Sequence, residues 1–104
     1  MLDSLRQALA ELTDRCYHYV AAPNAEPSYI TWMEDGDNDL MAGNVHAERC
    51  YTGSVHLFTK SESDPLFERI PAALESIGAS WSLNSVQYED DTELVHYEWY
   101  FEVV

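Results

Sequence analysis

A chain of 104 residues, 46% of them apolar, has the length of one domain and should bury roughly 65% of its unfolded surface. Five basic residues (Arg6, Arg15, Arg49, Lys60, Arg69) face 19 acids, a net charge of −14. Phosphate binding needs clustered Lys or Arg, and no such cluster exists, so a nucleic-acid reader is excluded and an anionic membrane surface is disfavoured.

Three Trp, seven Tyr and three Phe supply a core and argue against disorder despite the charge. No apolar run approaches the roughly 20 residues of a membrane span. The opening MLDSLRQALAEL carries Asp3 and Glu11 and does not read as a secretory signal. Cys16 and Cys50 lie 34 positions apart with no CxxC, which reads as two reduced, buried thiols rather than redox chemistry.

Leu2, Leu5, Leu9 and Leu12, with Ala8, share one face at helical spacing, predicting an amphipathic helix over 3–15 capped by Asp3 or Ser4. The run Tyr17-His18-Tyr19-Val20 suits a short strand, and Pro23 and Pro27 make the following stretch a loop. Residues 28–34 (SYITWME) read as a strand with Tyr29, Thr31 and Met33 alternating against Ile30 and Trp32. EDGDND, residues 34–39, follows and reads as the start of a long acidic loop running to about residue 48.

Residues 50–59 (CYTGSVHLFT) form the next strand, with Tyr51, Val55 and Leu57 on one face. Asp64 and Pro65 then open a helix as N-cap and first helical residue, Leu66, Ile70, Leu74 and Ile77 supply its stripe, and Gly78 stops it. Pro71 should kink or split that helix at Ile70. Two closing strands follow. In 80–88 the apolar parity changes between Leu83 and Val86, which predicts a bulge, whereas Val95, Tyr97, Trp99, Phe101 and Val103 alternate without a break. The expected fold is α+β, an antiparallel sheet of about four strands with two helices on one face, in the order α-β-β-α-β-β, filling residues 1–104 as a single domain.

The chemistry-bearing patterns are weak. With Asp35 at position 1, Asp37 and Asp39 fall at positions 3 and 5 of a calcium loop, but Leu40 stands where the turn glycine belongs and His46 where the bidentate glutamate belongs. His18, His46, His56 and His96 show no zinc spacing, and His56 and His96 fall opposite the core set of their strands, as solvent-facing or interface imidazoles. No nucleophile elbow or glycine-rich phosphate loop is present, and Cys50 with a nearby histidine is only a paper dyad. The reading is of a protein that is not an enzyme, with no cofactor and no metal.

The segments PSYITW (27–32), EDGDND (34–39), Gly43-Asn44 and TGSVHLFTK (52–60), followed by the helix from Pro65 to Gly78 and the strand LVHYEWYFE (94–102), resemble the tail-terminator-like proteins of siphophages and prophages. These are tail-completion proteins, often described as minor capsid or head–tail joining proteins. The resemblance covers nearly the whole chain in order and texture, with Pro71 as a departure. It implies a homo-oligomeric ring, typically a hexamer, that caps the tail tube, meets the head connector and lets DNA pass without specific binding. It further implies assembly in the host cytoplasm and residence in the virion tail, with no membrane partner.

That resemblance makes Glu34, Asp35, Asp37 and Asp39 a lumen or interface loop, since an acidic channel does not hold DNA. Six copies at −14 each carry −84, so contacts must be apolar or use the few bases, with Arg49, Lys60 and Arg69 as the candidates. The alternative is a small acidic DNA mimic or inhibitor that occupies a basic partner. Its acids, however, cluster at 34–39 and 89–93 rather than along one elongated face.

Overall fold

The computed structural model describes residues 2–39 and 49–103. Leucines at helical spacing draw α1 (Leu2–Ala10) onto the core through Leu5 and Leu9. The helix ends five residues short of the expected Arg15. Its last turn tightens, the Leu12 N–H bonding to Leu9 O at 3.0 Å, because Arg15 must already be extended to take the Ile30 N–H on its carbonyl at 2.8 Å. The next residues form β1 (Cys16–His18).

Four longer strands follow: β2 (Tyr29–Asp39), β3 (Arg49–Thr59), β4 (Ser80–Glu89) and β5 (Leu94–Val103), with α2 (Leu66–Ser76) between β3 and β4. They make one sheet in the order β1-β2-β3-β5-β4. The fold is therefore α+β as expected, but among the described residues the sheet has five strands and is mixed, because β1 lies parallel to β2 while the other pairs are antiparallel. A three-residue strand carries too little pattern to reveal its direction in the sequence.

EDGDND is not a loop. It forms the second half of β2, with Gly36 to Asp39 paired in register to Thr52 to Arg49 and a bulge between Glu34 and Gly36. Asp, Asn and Gly are poor strand formers, but backbone pairing to β3 overrides that preference. The rest of the expected loop, residues 40–48, lies outside the described residues, and with it Gly43-Asn44 and His46.

Period-two alternation places Ile30, Trp32, Val55, Leu57, Trp99, Phe101 and Val103 on one face, where Leu5, Leu9, Ile70 and Leu74 of the helices close over them. Burying such side chains is worth about 1.5–3 kcal/mol each, and this layer is the main stabiliser. Between Leu83 and Ser85 the β4–β5 register shifts, where the parity change predicted a bulge.

α2 starts and stops as its sequence dictates. Pro65 has helical dihedrals (φ −58°, ψ −24°), and Asp64 Oδ1 accepts the Leu66 N–H at 2.9 Å, so Asp64 is the functional N-cap. Asp64 Oδ2 also accepts the Thr59 hydroxyl at 2.8 Å and that of Ser28, tying the ends of β2, β3 and α2 together. Burial alone would raise the Asp64 carboxyl, but these hydrogen bonds outweigh it and hold the group below its ordinary 3.8. At the other end Gly78 takes φ +80°, and the Gly78 and Ala79 N–H groups bond to Glu75 O and Leu74 O, both at 3.0 Å. Pro71 does not split the helix, which runs through it unbroken from Leu66 to Ser76.

Candidate functional site

Two groups of polar side chains stand out once the sheet is assembled. The first surrounds the β2 bulge. Glu34 points back into the protein, with its carboxylate 2.7 Å from His18 Nε2 and accepting the Tyr19 hydroxyl at 2.8 Å. The His18 ring is sandwiched between Trp32, at 3.9 Å between centroids, and Tyr19, at 4.0 Å. Tyr19 pays for this position with φ +74°, an unfavourable backbone for a bulky residue. Burial would raise the Glu34 carboxyl, yet the His18, backbone and Tyr19 hydrogen bonds win and keep it below 4.5.

One residue on, Asp35 is exposed and accepts the Thr52 hydroxyl at 2.6 Å. The bulge brings β2 so close to β3 that a Cβ on Gly53 would lie 2.0 Å from Met33 O and 2.7 Å from Phe101 Cζ. Only glycine fits there. Asp35, Thr52 and Gly53 line one side of a shallow cleft of about 400 Å³ whose other side is Trp81, Tyr100 and Glu102.

The second group lies on the sheet face away from the helices. Register sets the rows Tyr29–Phe58–His96–Gln87, Thr31–His56–Glu98–Ser85 and Met33–Ser54–Tyr100–Ser82 across β2, β3, β5 and β4. At the centre His56 Nδ1 meets His96 Nε2 at 2.7 Å, so one nitrogen carries the shared proton and the other accepts it. Ser54 Oγ is 3.0 Å from His56 Nε2, Glu98 is 3.5 Å from the same nitrogen, and Glu89 is 3.4 Å from His96 Nδ1. Burial pushes the His56 imidazole below 6.5; the Glu98 charge opposes this and the His96 neighbour reinforces it. Phe58 stacks on both Tyr29, at 4.8 Å, and His96, at 4.2 Å, flooring the pair with aromatic surface.

His56 and His96 oppose the core set as expected, but the sequence does not reveal that they pair. Nothing in either strand's sequence fixes which residue of one faces which residue of the other 40 positions away. The acids Glu34, Asp35, Asp37 and Asp39 all lie in β2, with Glu34 bonded to His18 and Asp37 and Asp39 opposite Tyr51 and Arg49 in register. The three candidate bases do not converge. Arg49 opens β3 and Lys60 follows its last residue, roughly 35 Å of chain away, and Arg69 borders the α1–α2 groove.

Among the described residues no group of three His, Cys, Asp or Glu side chains is placed to hold a metal ion, and no helix is long and apolar enough to cross a membrane. Burial pushes the Cys16 thiol up to about 11 and raises Cys50 as well, the opposite of what activates a nucleophile. The histidine cluster can relay a proton between Ser54 and the carboxylates, and it can present a polar, pH-sensitive centre to a partner.

No protein-family model matches the chain, and no curated protein matches it. Its fold is similar to that of a chain in the virion of a native gene transfer agent particle. The TM-score is 0.56 with 11% identity, over 97% of this chain and 87% of that one. At that identity the likeness is one of fold.

Proposed function

We propose that this protein is a structural component of a phage-like particle, assembling as a ring that caps the tail tube and joins it to the head connector. The observation that carries the reading is the likeness in fold, over nearly the whole chain, to a virion chain. The charge supports it: at −14 per copy, a ring lumen would repel DNA and let it slide rather than bind. In this reading the acids of the β2 arm line or rim the channel, or reach a neighbouring copy. Arg49 and Lys60, at the two ends of β3, and Arg69 on α2 serve separate contacts. The role requires no reaction and no cofactor.

The rival reading, mimicry of DNA phosphates, asks for carboxylates presented along one outer face. Glu34 instead spends its charge inward on His18 and Tyr19. The test is negative-stain electron microscopy of the purified protein at raised salt, alone and mixed with tail tubes. Rings with a central channel, or caps on one tube end, are the expected result. Particles of single-copy size that leave tube ends bare would refute the proposal.

A further inference from the structure

The outer strand β4 is a ten-residue edge, paired with β5 on one side and unpaired on the other among the described residues. Natural edges are blunted by short strands, Lys, Pro, β-bulges or a covering element. SWSLNSVQYE has neither Lys nor Pro, and its one irregularity is the shift after Leu83. On the helix-side face Trp81, Leu83, Val86 and Tyr88 extend the layer of Phe101, Trp99, Tyr97 and Val95, to which they are paired. α2 reaches Trp81 through Glu75, yet the four side chains remain 38%, 41%, 53% and 60% exposed.

The edge strand and its neighbours in the sequence carry charge of one sign. Residues 70–104 contain seven acids and no Lys or Arg. Glu75 accepts the Trp81 indole N–H at 3.0 Å at one end of the stripe, and Glu89, turned to the opposite face beside His96, ends the strand. A second copy pairing β4 to β4 would set this acidic field against itself. A strand from another polypeptide, apolar on alternate residues and flanked by Lys or Arg, complements both the backbone edge and the field.

We propose that β4 is a docking edge for such a basic-flanked strand of a different protein, added to the sheet by β-augmentation. Main-chain pairing to β4 supplies the binding, and Trp81, Leu83, Val86 and Tyr88 take the partner's apolar side chains. The acidic rim speeds encounter and selects against acidic partners. The inference does not rest on the ring reading.

The probe is a ten-residue peptide alternating valine and threonine with two lysines at each end, followed by fluorescence anisotropy at low salt. Saturable binding below about 1 mM is expected, weakened about tenfold by Val86→Thr or Tyr88→Thr and lost when the lysines become glutamates. Both substitutions sit at exposed positions and keep the strand foldable. The idea is overturned by no binding, by equal binding of the glutamate-flanked peptide, or by indifference to both substitutions. It is equally overturned if light scattering finds dimers that Val86→Thr dissolves, since the occupant is then a second copy. Failure here with intact rings would leave the ring reading standing, and rings without peptide binding separate the two claims.

Discussion

His56 Nδ1 and His96 Nε2 lie 2.7 Å apart at the centre of the sheet face that the helices leave uncovered. Two imidazoles this close share one proton between the facing nitrogens, and a second would have to sit in the same gap. Burial and the His96 neighbour accordingly depress the His56 value from 6.5, with Glu98 only partly compensating. The unfolded chain then binds more protons than the folded one just below that value. Stability from this site is therefore present above pH 6.5 and falls as the pH drops below it. Chemical denaturation of the wild type and His56→Gln across that window should show the steeper loss in the wild type; parallel slopes would disprove the assignment.

A second acid window lies lower. Glu34 and Asp64 are both held below their ordinary values of 4.5 and 3.8, so their contribution is lost as the pH falls through the folded values beneath those. Glu34→Gln should remove part of that loss while leaving the His56 window intact.

Asp64 links the α2 N-terminus to Ser28 and Thr59. Asp64→Ala should cost about 1–2 kcal/mol, the range for a lost N-cap, with the buried Thr59 hydroxyl left short of a partner. Thermal unfolding measures it, and an unchanged midpoint would show that the cap is supplied otherwise.

Gly53 carries the β2 bulge against Phe101. Gly53→Ala should destabilise by about 1–3 kcal/mol or more, because Met33 O is backbone and cannot move without moving β2. The same experiment on Gly78→Ala tests a different cause, since its φ of +80° lies in open space and costs only backbone strain.

Pro71 removes an N–H from the interior of α2. Pro71→Ala restores the bond to the Phe67 carbonyl and should stabilise by about 1 kcal/mol or more, read as a raised melting temperature.

Much of this architecture was legible in the chain. Strict alternation from Val95 to Val103 marked β5, the parity change after Leu83 marked the β4 irregularity, and Asp64, Pro65 and Gly78 marked both ends of α2. Those signals are local, and each has a local cause. Gly, Asp and Asn disfavour a strand at EDGDND, yet pairing with residues 49–52 decides its conformation. The His56–His96 pair and the inward turn of Glu34 depend on register across three strands, which no local pattern states. The exposed stripe of β4 was invisible for a related reason: alternation shows which face an apolar residue takes, not whether a helix reaches far enough to cover it.

The acidic arm offers a functional test of the lumen reading. Replacing Asp35, Asp37 and Asp39 with Asn removes three charges per copy, and assembled rings should then retain more duplex DNA at physiological salt. Unchanged retention would take the arm out of the channel.

The central claim is the ring itself, and light scattering coupled to size-exclusion chromatography at low and at high salt tests it most directly. Copies at −14 repel one another, so the account predicts a ring-sized species near six subunits that grows as added salt screens them. A monomer at every salt concentration that also leaves added tail tubes uncapped would contradict it.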